Sequence, residues 1–170
     1  MKVQPLHGGC RCGAVRYTVK PSMSSKPPIG NPHICHCRMC QKASGNYFLP
    51  LGSVSRDLFQ LTRGTPQWFQ SSDLVRRGFC AACGTPLFFD IPEADFINIT
   101  LGSLDDPASV KPVEQANLDS KMPWFAALDT LPVEASEANA DWLAKVAGAT
   151  HQHPDHDTSE WPTHMGSPHD

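Results

Sequence analysis

The seven cysteines of this 170-residue chain form three short clusters, and no cysteine lies elsewhere. The C-x-C and C-x-x-C spacings direct thiolates to a common centre, which is the arrangement that zinc selects. A closed structural zinc takes four protein ligands, whereas a zinc that binds a further ligand takes three. Seven thiols therefore predict two zinc ions per chain, one closed and one open to a further ligand. The clusters are Cys10-Arg11-Cys12, Cys35-His36-Cys37-Arg38-Met39-Cys40 and Cys80-Ala81-Ala82-Cys83.

Disulfide bonds are the main alternative use of these thiols. Sulfurs separated by one residue rarely reach disulfide geometry without strain, and an odd count leaves one thiol unpaired. Residues 1–5 are followed by polar, glycine-rich sequence rather than by the apolar run of a secretory signal. We therefore expect a cytoplasmic, reducing location. Redox chemistry at Cys80 and Cys83 stays open, although the βαβ pattern of a thioredoxin-like site does not surround them.

Composition excludes several classes of partner. A hydrophobic content of 40% is enough for the core of one domain. The formal net charge of −3 offers no basic surface for nucleic acid. No stretch approaches the ~20 consecutive apolar residues of a membrane span. We expect a soluble protein with neither nucleic-acid nor membrane partners, and the sequence leaves its oligomeric state open.

Short alternating segments, about ten residues apart, predict a mainly β fold built from antiparallel sheets. Residues 21–32 hold four prolines and predict a long exposed connection. One helical period covers residues 136–147, with Ser136 as N-cap and Gly148 just past the end. We therefore divide the chain into a zinc-binding domain (1–135), a C-terminal helix (136–148) and a disordered tail rich in His, Asp and Pro (149–170). The predicted strands are residues 14–19, 47–51, 58–62, 67–70, 87–91 and 96–101.

The first and third clusters are predicted to form the structural site. Each is followed by a glycine, Gly13 or Gly84, which lets the backbone turn sharply around a metal. Two such pairs that meet across the fold would join segments about 70 residues apart. The binding energy of the zinc would then act as folding energy.

The second cluster is predicted to form a three-thiolate site, which we call the tripod (Cys35, Cys37 and Cys40). If the chain is extended from Cys35 to Cys37, both sulfurs share a face and His36 points away. Zinc held by three thiolates favours a soft exogenous thiolate as its next ligand, and a thiol bound to the metal is deprotonated. The alternative is a closed second site, with His33, His36 or an acidic residue as fourth ligand.

Residues beside the tripod are candidates for binding a substrate. Arg38 and Lys42 could offset extra negative charge at the metal, or they could be solvated surface charges. Ser44, the backbone that follows Cys40, or Lys42 could donate to a developing alkoxide. Arg76 and Arg77 are further candidate anchors for carboxylates, but ordinary surface charge is the interpretation we favour for them.

Four segments, taken in order along the chain, resemble the signature of the glutathione-dependent formaldehyde-activating enzymes. The resemblance covers roughly residues 4–133 and leaves the C-terminal helix and tail outside it. Three cysteine motifs in the same order make it very specific. The segments are residues 8–17, 35–45, 79–87 and 102–107.

The resemblance implies a fold, two ligand sets and an activity. The fold is a zinc-stapled β-tent, with Cys10, Cys12, Cys80 and Cys83 as structural ligands and the tripod as catalytic ligands. The activity is that of a carbon–sulfur lyase, which forms or cleaves the S-hydroxymethyl adduct of glutathione or a similar thiol with formaldehyde. The alternative function is a zinc-stapled binding module whose second zinc is closed and does no catalysis.

Overall fold

The computed structural model describes residues 4–24, 26–133 and 139–160. Its α-helices are α1 (Arg38–Ser44) and α2 (Ala140–Gly148). Ten strands make up most of the regular structure of the described residues. They are β1 (Leu6–Gly9), β2 (Arg16–Val19), β3 (Gly30–Cys35), β4 (Leu49–Ser55), β5 (Phe59–Arg63), β6 (Gln67–Gln70), β7 (Arg76–Phe79), β8 (Pro86–Asp90), β9 (Phe96–Thr100) and β10 (Glu114–Ala116).

The strands form two sheets. A three-stranded sheet has the order β1-β2-β5, and a seven-stranded sheet has the order β10-β3-β4-β9-β8-β7-β6. The mainly β class is therefore confirmed. Pairing is antiparallel except between β3 and β10, which run parallel and align Ala116 with Cys35. That parallel pair departs from the predicted all-antiparallel sheets, and it brings the chain after β10 to the tripod. The β-tent arrangement stays a prediction of the family resemblance.

The cysteines of all three sequence clusters are part of the hydrophobic packing. The larger core includes Cys10, Cys12 and Cys80 among aliphatic and aromatic side chains such as Tyr17 and Leu87. A smaller core joins two tripod cysteines to Leu49 and Leu51 of β4. Since neighbouring side chains in a packed core restrict each other, the sulfurs are held in place by the sheets as well as by their own turns.

All six predicted strands are present, with ends shifted by up to four residues. Four strands and the helix α1 were not predicted. β3 contains Gly30 and Pro32, and β10 is short and largely exposed, so neither shows a period of two. The helix α1 spans seven residues, which is too short for a recognisable helical period. The predicted connection 21–32 correspondingly ends earlier, where β3 begins at Gly30.

The C-terminal helix α2 begins at Ala140 and includes Gly148, which was expected just beyond its end. The predicted N-cap, Ser136, lies outside the described residues. Trp142, Leu143 and Val146 of this helix are all exposed. Within the described part of the chain, no helix has both the length and the apolar character that crossing a membrane requires.

Residues 149–160, which we call the C-terminal strap, lie against the start of the chain, although a disordered tail was predicted there. The backbone N–H of His153 donates to the carbonyl of Arg11, and the His153 side chain is buried. Asp157 accepts from the buried Arg16 at 2.7 Å, and Arg63 donates to Thr158. Polar pairs such as these leave no hydrophobic signal in the sequence, so the strap could not be recognised there. The rest of the predicted tail, residues 161–170, lies outside the described residues.

We expect Asp157→Asn to lower the stability of the folded chain. Partial burial would raise the pKa of Asp157, but hydrogen bonds from Arg16 hold this pKa below its ordinary value. A pKa lowered by folding stabilises the protein above the unfolded-state value, and the stabilisation is lost as pH falls through the folded-state pKa. At pH 7 the loss should be about 1 kcal/mol, since Asp157 is half exposed.

Thermal unfolding of the zinc-loaded protein at pH 7 measures this effect. A loss of about 1 kcal/mol corresponds to a fall in Tm of about 3 °C for a chain of this size. Asp155→Asn is the matched control, because Asp155 is exposed in the same strap and forms no ion pair among the described residues. Equal Tm values for the two variants would contradict the strap contact.

Candidate metal centres

Four cysteines from two distant turns meet at one point, as predicted. The Sγ atoms of Cys10, Cys12, Cys80 and Cys83 all lie within 4.8 Å of one another. Cys10 Sγ is 3.6 Å from Cys12 Sγ, which is 3.8 Å from Cys80 Sγ. These separations are too long for disulfide bonds, and none of the seven cysteines forms one.

The two turns that present these sulfurs are closely alike. In the first, the N–H of Cys10 donates to the carbonyl of Val15; in the second, the N–H of Cys80 donates to the carbonyl of Thr85. Each turn contains a glycine with left-handed backbone, Gly13 at φ 79° and Gly84 at φ 72°. Both glycines thus lie at sharp turns, as expected, whereas their role around a metal stays a prediction. At Gly13 a Cβ atom would also collide with the His153 ring of the strap.

The four-cysteine cluster fits zinc. Zn–S bonds of about 2.3 Å in a tetrahedron place the sulfurs about 3.8 Å apart, which agrees with the two separations above. Burial raises the pKa of the Cys12 thiol, and it raises the pKa of Cys80 to about 11. Without metal these two groups are therefore neutral thiols at pH 7, and a zinc ion would displace their protons on binding.

The second cluster is also assembled as predicted. The Sγ atoms of Cys35, Cys37 and Cys40 lie within 4.8 Å of one another. Cys35 is the last residue of β3, Cys37 is the N-cap of α1, and Cys40 is on the first turn of that helix. The sheet and the helix start therefore fix the three sulfurs together. Three sulfurs at this spacing could hold a zinc ion.

Each tripod sulfur accepts a hydrogen bond from a different source. The side-chain amide of Asn117 donates to Cys35 Sγ at 3.3 Å, and the backbone N–H of Cys40 donates to Cys37 Sγ at 3.4 Å. Arg77 of β7 donates to Cys40 Sγ at 3.5 Å. Burial raises the pKa of the Cys40 thiol to about 12, even though the Arg77 guanidinium acts to lower it.

No described histidine or acidic residue joins the tripod. His33 instead donates from Nδ1 to the backbone carbonyl of Asn31 at 2.9 Å. His36 points away from the tripod, as expected: it is fully buried, with its Nε2 atom 3.1 Å from Gln115 Oε1 and its ring edge-on to Phe125. Among the described residues, the candidate metal ligands of this site are thus the three cysteines.

A buried glutamine ties the tripod segment to the chain that follows β10. The side-chain amide of Gln41 donates to the carbonyls of His36 at 2.7 Å and Ser120 at 2.8 Å. Its Oε1 atom accepts from the Arg38 guanidinium at 2.5 Å. Gln41 therefore positions one of the predicted substrate-binding cations, a role the sequence analysis did not assign.

The predicted substrate-binding residues occupy different positions around the tripod. Arg38 and Lys42 line a groove of about 550 Å³ together with Phe69 and Arg77. Ser44 lies elsewhere in the hydrogen-bond network, because its hydroxyl donates to the carbonyl of Cys40 at 2.9 Å near the end of α1. The geometry thus groups the two cations, whereas the Ser44 hydroxyl bonds back to a carbonyl of its own helix.

The interpretation of Arg76 and Arg77 as surface charges is wrong for Arg77. Its guanidinium is in contact with the tripod, and the residue is only 9% exposed. Arg76 is on the opposite face of β7, where it pairs with Asp90 at 2.7 Å and lies over the Trp68 ring. Because successive side chains of a strand point to opposite faces, adjacent arginines have different surroundings.

Comparison with known proteins identifies the family of the chain. A family model described as glutathione-dependent formaldehyde-activating enzyme matches residues 5–120, a range that includes all seven cysteines. No curated protein matches the chain. A solved structure of a Rhodobacter sphaeroides protein is 17% identical and covers 65% of this chain and 99% of that chain, with a TM-score of 0.49. Since the family model spans more than half of the sequence, the chain belongs to the glutathione-dependent formaldehyde-activating enzyme family.

Proposed function

We propose that the protein is a zinc-dependent carbon–sulfur lyase. It forms or cleaves the hemithioacetal of an aldehyde such as formaldehyde with glutathione or a similar thiol. The observation that carries this proposal is the tripod: three cysteine sulfurs within 4.8 Å of one another, with no described histidine or carboxylate beside them. The four-cysteine cluster holds the structural zinc in this account. Seven cysteines that form no disulfide bond suit a reducing compartment such as the cytoplasm.

The groove beside the tripod supports a thiol substrate that carries carboxylates. Its lining contains the cations Arg38, Lys42 and Arg77 and the apolar side chains of Met39 and Phe69. Guanidinium groups recognise carboxylates through paired N–H donors, and an ammonium group adds a point charge. A peptide-like thiol with negatively charged ends, such as glutathione, matches this lining.

The reaction needs a thiolate, an aldehyde that is aligned with it, and a group that stabilises the negative charge developing on the aldehyde oxygen. The chemistry that zinc supplies when bound at the tripod is to lower the pKa of the substrate thiol. The substrate sulfur attacks the aldehyde carbon, the C–S bond forms, and the π electrons of the C=O bond move to oxygen. That oxygen takes up one proton, which balances the proton released by the thiol, and cleavage is the reverse.

The residues of the chain contribute orientation and charge to this reaction. Holding both reactants in one groove replaces a collision in solution by an oriented encounter, which accounts for much of the rate gain in an addition of this kind. The buried guanidinium of Arg77 is in contact with the tripod, so it lies near the negative charge of the reacting groups.

The proposal is tested by the rate at which formaldehyde and glutathione exchange with their adduct at equilibrium. Magnetisation transfer between the free and adduct methylene signals in NMR measures this rate directly. The zinc-loaded protein should accelerate exchange in proportion to its concentration. An exchange rate equal to that of a protein-free sample, with two zinc ions bound per chain, would overturn the lyase and favour the binding module.

We expect the double variant Arg38→Gln and Lys42→Gln to weaken glutathione binding about tenfold, because two cations of the groove are lost. Binding of 2-mercaptoethanol, which has no carboxylate, should stay within about twofold. Lys111→Gln is the control, since Lys111 is exposed and lies outside the groove. Equal losses for both thiols would show that the groove does not recognise carboxylates.

A further inference from the structure

A tripod that accepts a thiol has to hold an unusual amount of negative charge. Three thiolates already outnumber the charges of a divalent ion by one, and an exogenous thiolate adds another. Cys35 and Cys40 are buried, so water screens this charge poorly. Excess negative charge on buried sulfurs is unfavourable unless cations or hydrogen-bond donors lie within a few ångströms of them.

Arg77 meets this requirement. Its Nη2 atom is 3.5 Å from Cys40 Sγ, its Nε atom donates to Ser71 Oγ at 3.2 Å, and its guanidinium lies 5.0 Å from the centre of the Phe89 ring. These contacts fix the guanidinium without a carboxylate. No ion pair of the described residues involves Arg77, whereas neighbouring Arg76 pairs with Asp90, a carboxylate that it shares with Arg56. The charge of Arg77 is thus directed to the sulfurs.

A second donor comes from the chain that follows β10. Asn117 has a left-handed backbone, φ 58° and ψ 54°, a conformation that asparagine tolerates better than most residues. This turn brings its amide to Cys35 Sγ. In the four-cysteine cluster, the corresponding donors are neutral and close in sequence to their cysteines. The N–H of Val15 donates to Cys10 Sγ, and the hydroxyl of Thr85 donates to Cys83 Sγ. A cation therefore distinguishes the tripod from these two sulfurs.

We propose that Arg77 is a positioning residue whose charge lets the tripod accept an anionic ligand, with Asn117 as a weaker second donor. The inference rests on the proposed function, because it explains how the same site binds a thiolate. Arg77 acts through Cys40: it withdraws negative charge from this sulfur, so the metal becomes a better acceptor for a further anion. A neutral ligand adds no charge and should not depend on Arg77.

The test compares an anionic with a neutral ligand on the full chain loaded with cobalt. 2-Mercaptoethanol and imidazole are each titrated into the wild type, Arg77→Met and Arg77→Lys, and the cobalt absorption bands report binding. In Arg77→Met we expect thiol affinity to fall about tenfold or more, with imidazole affinity within about twofold of the wild type. Arg77→Lys keeps the charge and should recover part of the thiol affinity.

Equal losses for both ligands in Arg77→Met, or an unchanged thiol affinity, would overturn the role of Arg77 while leaving the proposed function intact. A wild type that binds no thiol would overturn both. If Arg77→Met does not fold, Asn117→Gly decides, because Asn117 is exposed and glycine accepts its backbone conformation. The thiol affinity of this variant should fall about threefold, while its imidazole affinity should be unchanged. An unchanged thiol affinity would contradict the proposal.

Discussion

Cys80→Ser should abolish the folded state of the protein. The Cys80 side chain is 1% exposed, and its sulfur belongs to the cluster that joins the Cys10 turn to the Cys80 turn. Structural zinc supplies on the order of 10–16 kcal/mol in small zinc peptides, as much as the roughly 5–15 kcal/mol of stability of a whole domain. Losing one of four ligands therefore removes a large part of what holds the two segments together.

Thermal unfolding followed by circular dichroism, together with zinc content, measures this loss. We expect Cys80→Ser to show no cooperative transition and to retain less than one zinc ion per chain. Zinc removal from the wild type by a strong chelator should have the same effect. A folded Cys80→Ser protein with a Tm near that of the wild type would show that this cluster does not stabilise the fold.

Cys37→Ser should abolish catalysis and leave the fold in place. Cys37 is partly exposed at the start of α1, and the tripod cysteines belong to the smaller core. Removing one of three ligands leaves too few donors to hold zinc firmly. We expect zinc content to fall from two ions to one, and the protein-dependent exchange of formaldehyde with glutathione to fall at least about a hundredfold.

The comparison between Cys37→Ser and Cys80→Ser tests whether the tripod is catalytic and the four-cysteine cluster is structural. The two substitutions exchange the same atoms at sites that differ in their number of ligands. If both variants lose the folded state to the same extent, the tripod is a structural site too. If Cys37→Ser retains the full exchange rate, the catalytic centre lies elsewhere.

The clustering of the cysteines could be predicted because their short spacings in the sequence are typical of metal sites. Cys35, Cys37 and Cys40 lie within six residues, so local geometry alone brings their sulfurs together. The sharp turns at Gly13 and Gly84 could likewise be inferred, because each glycine directly follows a pair of closely spaced cysteines.

The surroundings of the tripod could not be predicted, since they depend on contacts between distant strands. Asn117 reaches Cys35 only because β10 pairs in parallel with β3, and β10 has no apolar pattern. Arg77 reaches Cys40 because it lies on the inner face of β7, which the sequence does not distinguish from the face of Arg76. Side-chain partners that are set by sheet register leave no trace in residue spacing.

The central claim is that the tripod binds an exogenous thiol, and a glutathione titration of the cobalt-substituted protein tests it most directly. Cobalt in a site of three thiolates has a weaker sulfur-to-metal absorption than cobalt in a site of four. We predict that the absorption rises on addition of glutathione and saturates at one thiol per chain, while the four-cysteine site is unchanged. An absorption that glutathione does not alter, with two cobalt ions bound, would contradict the claim.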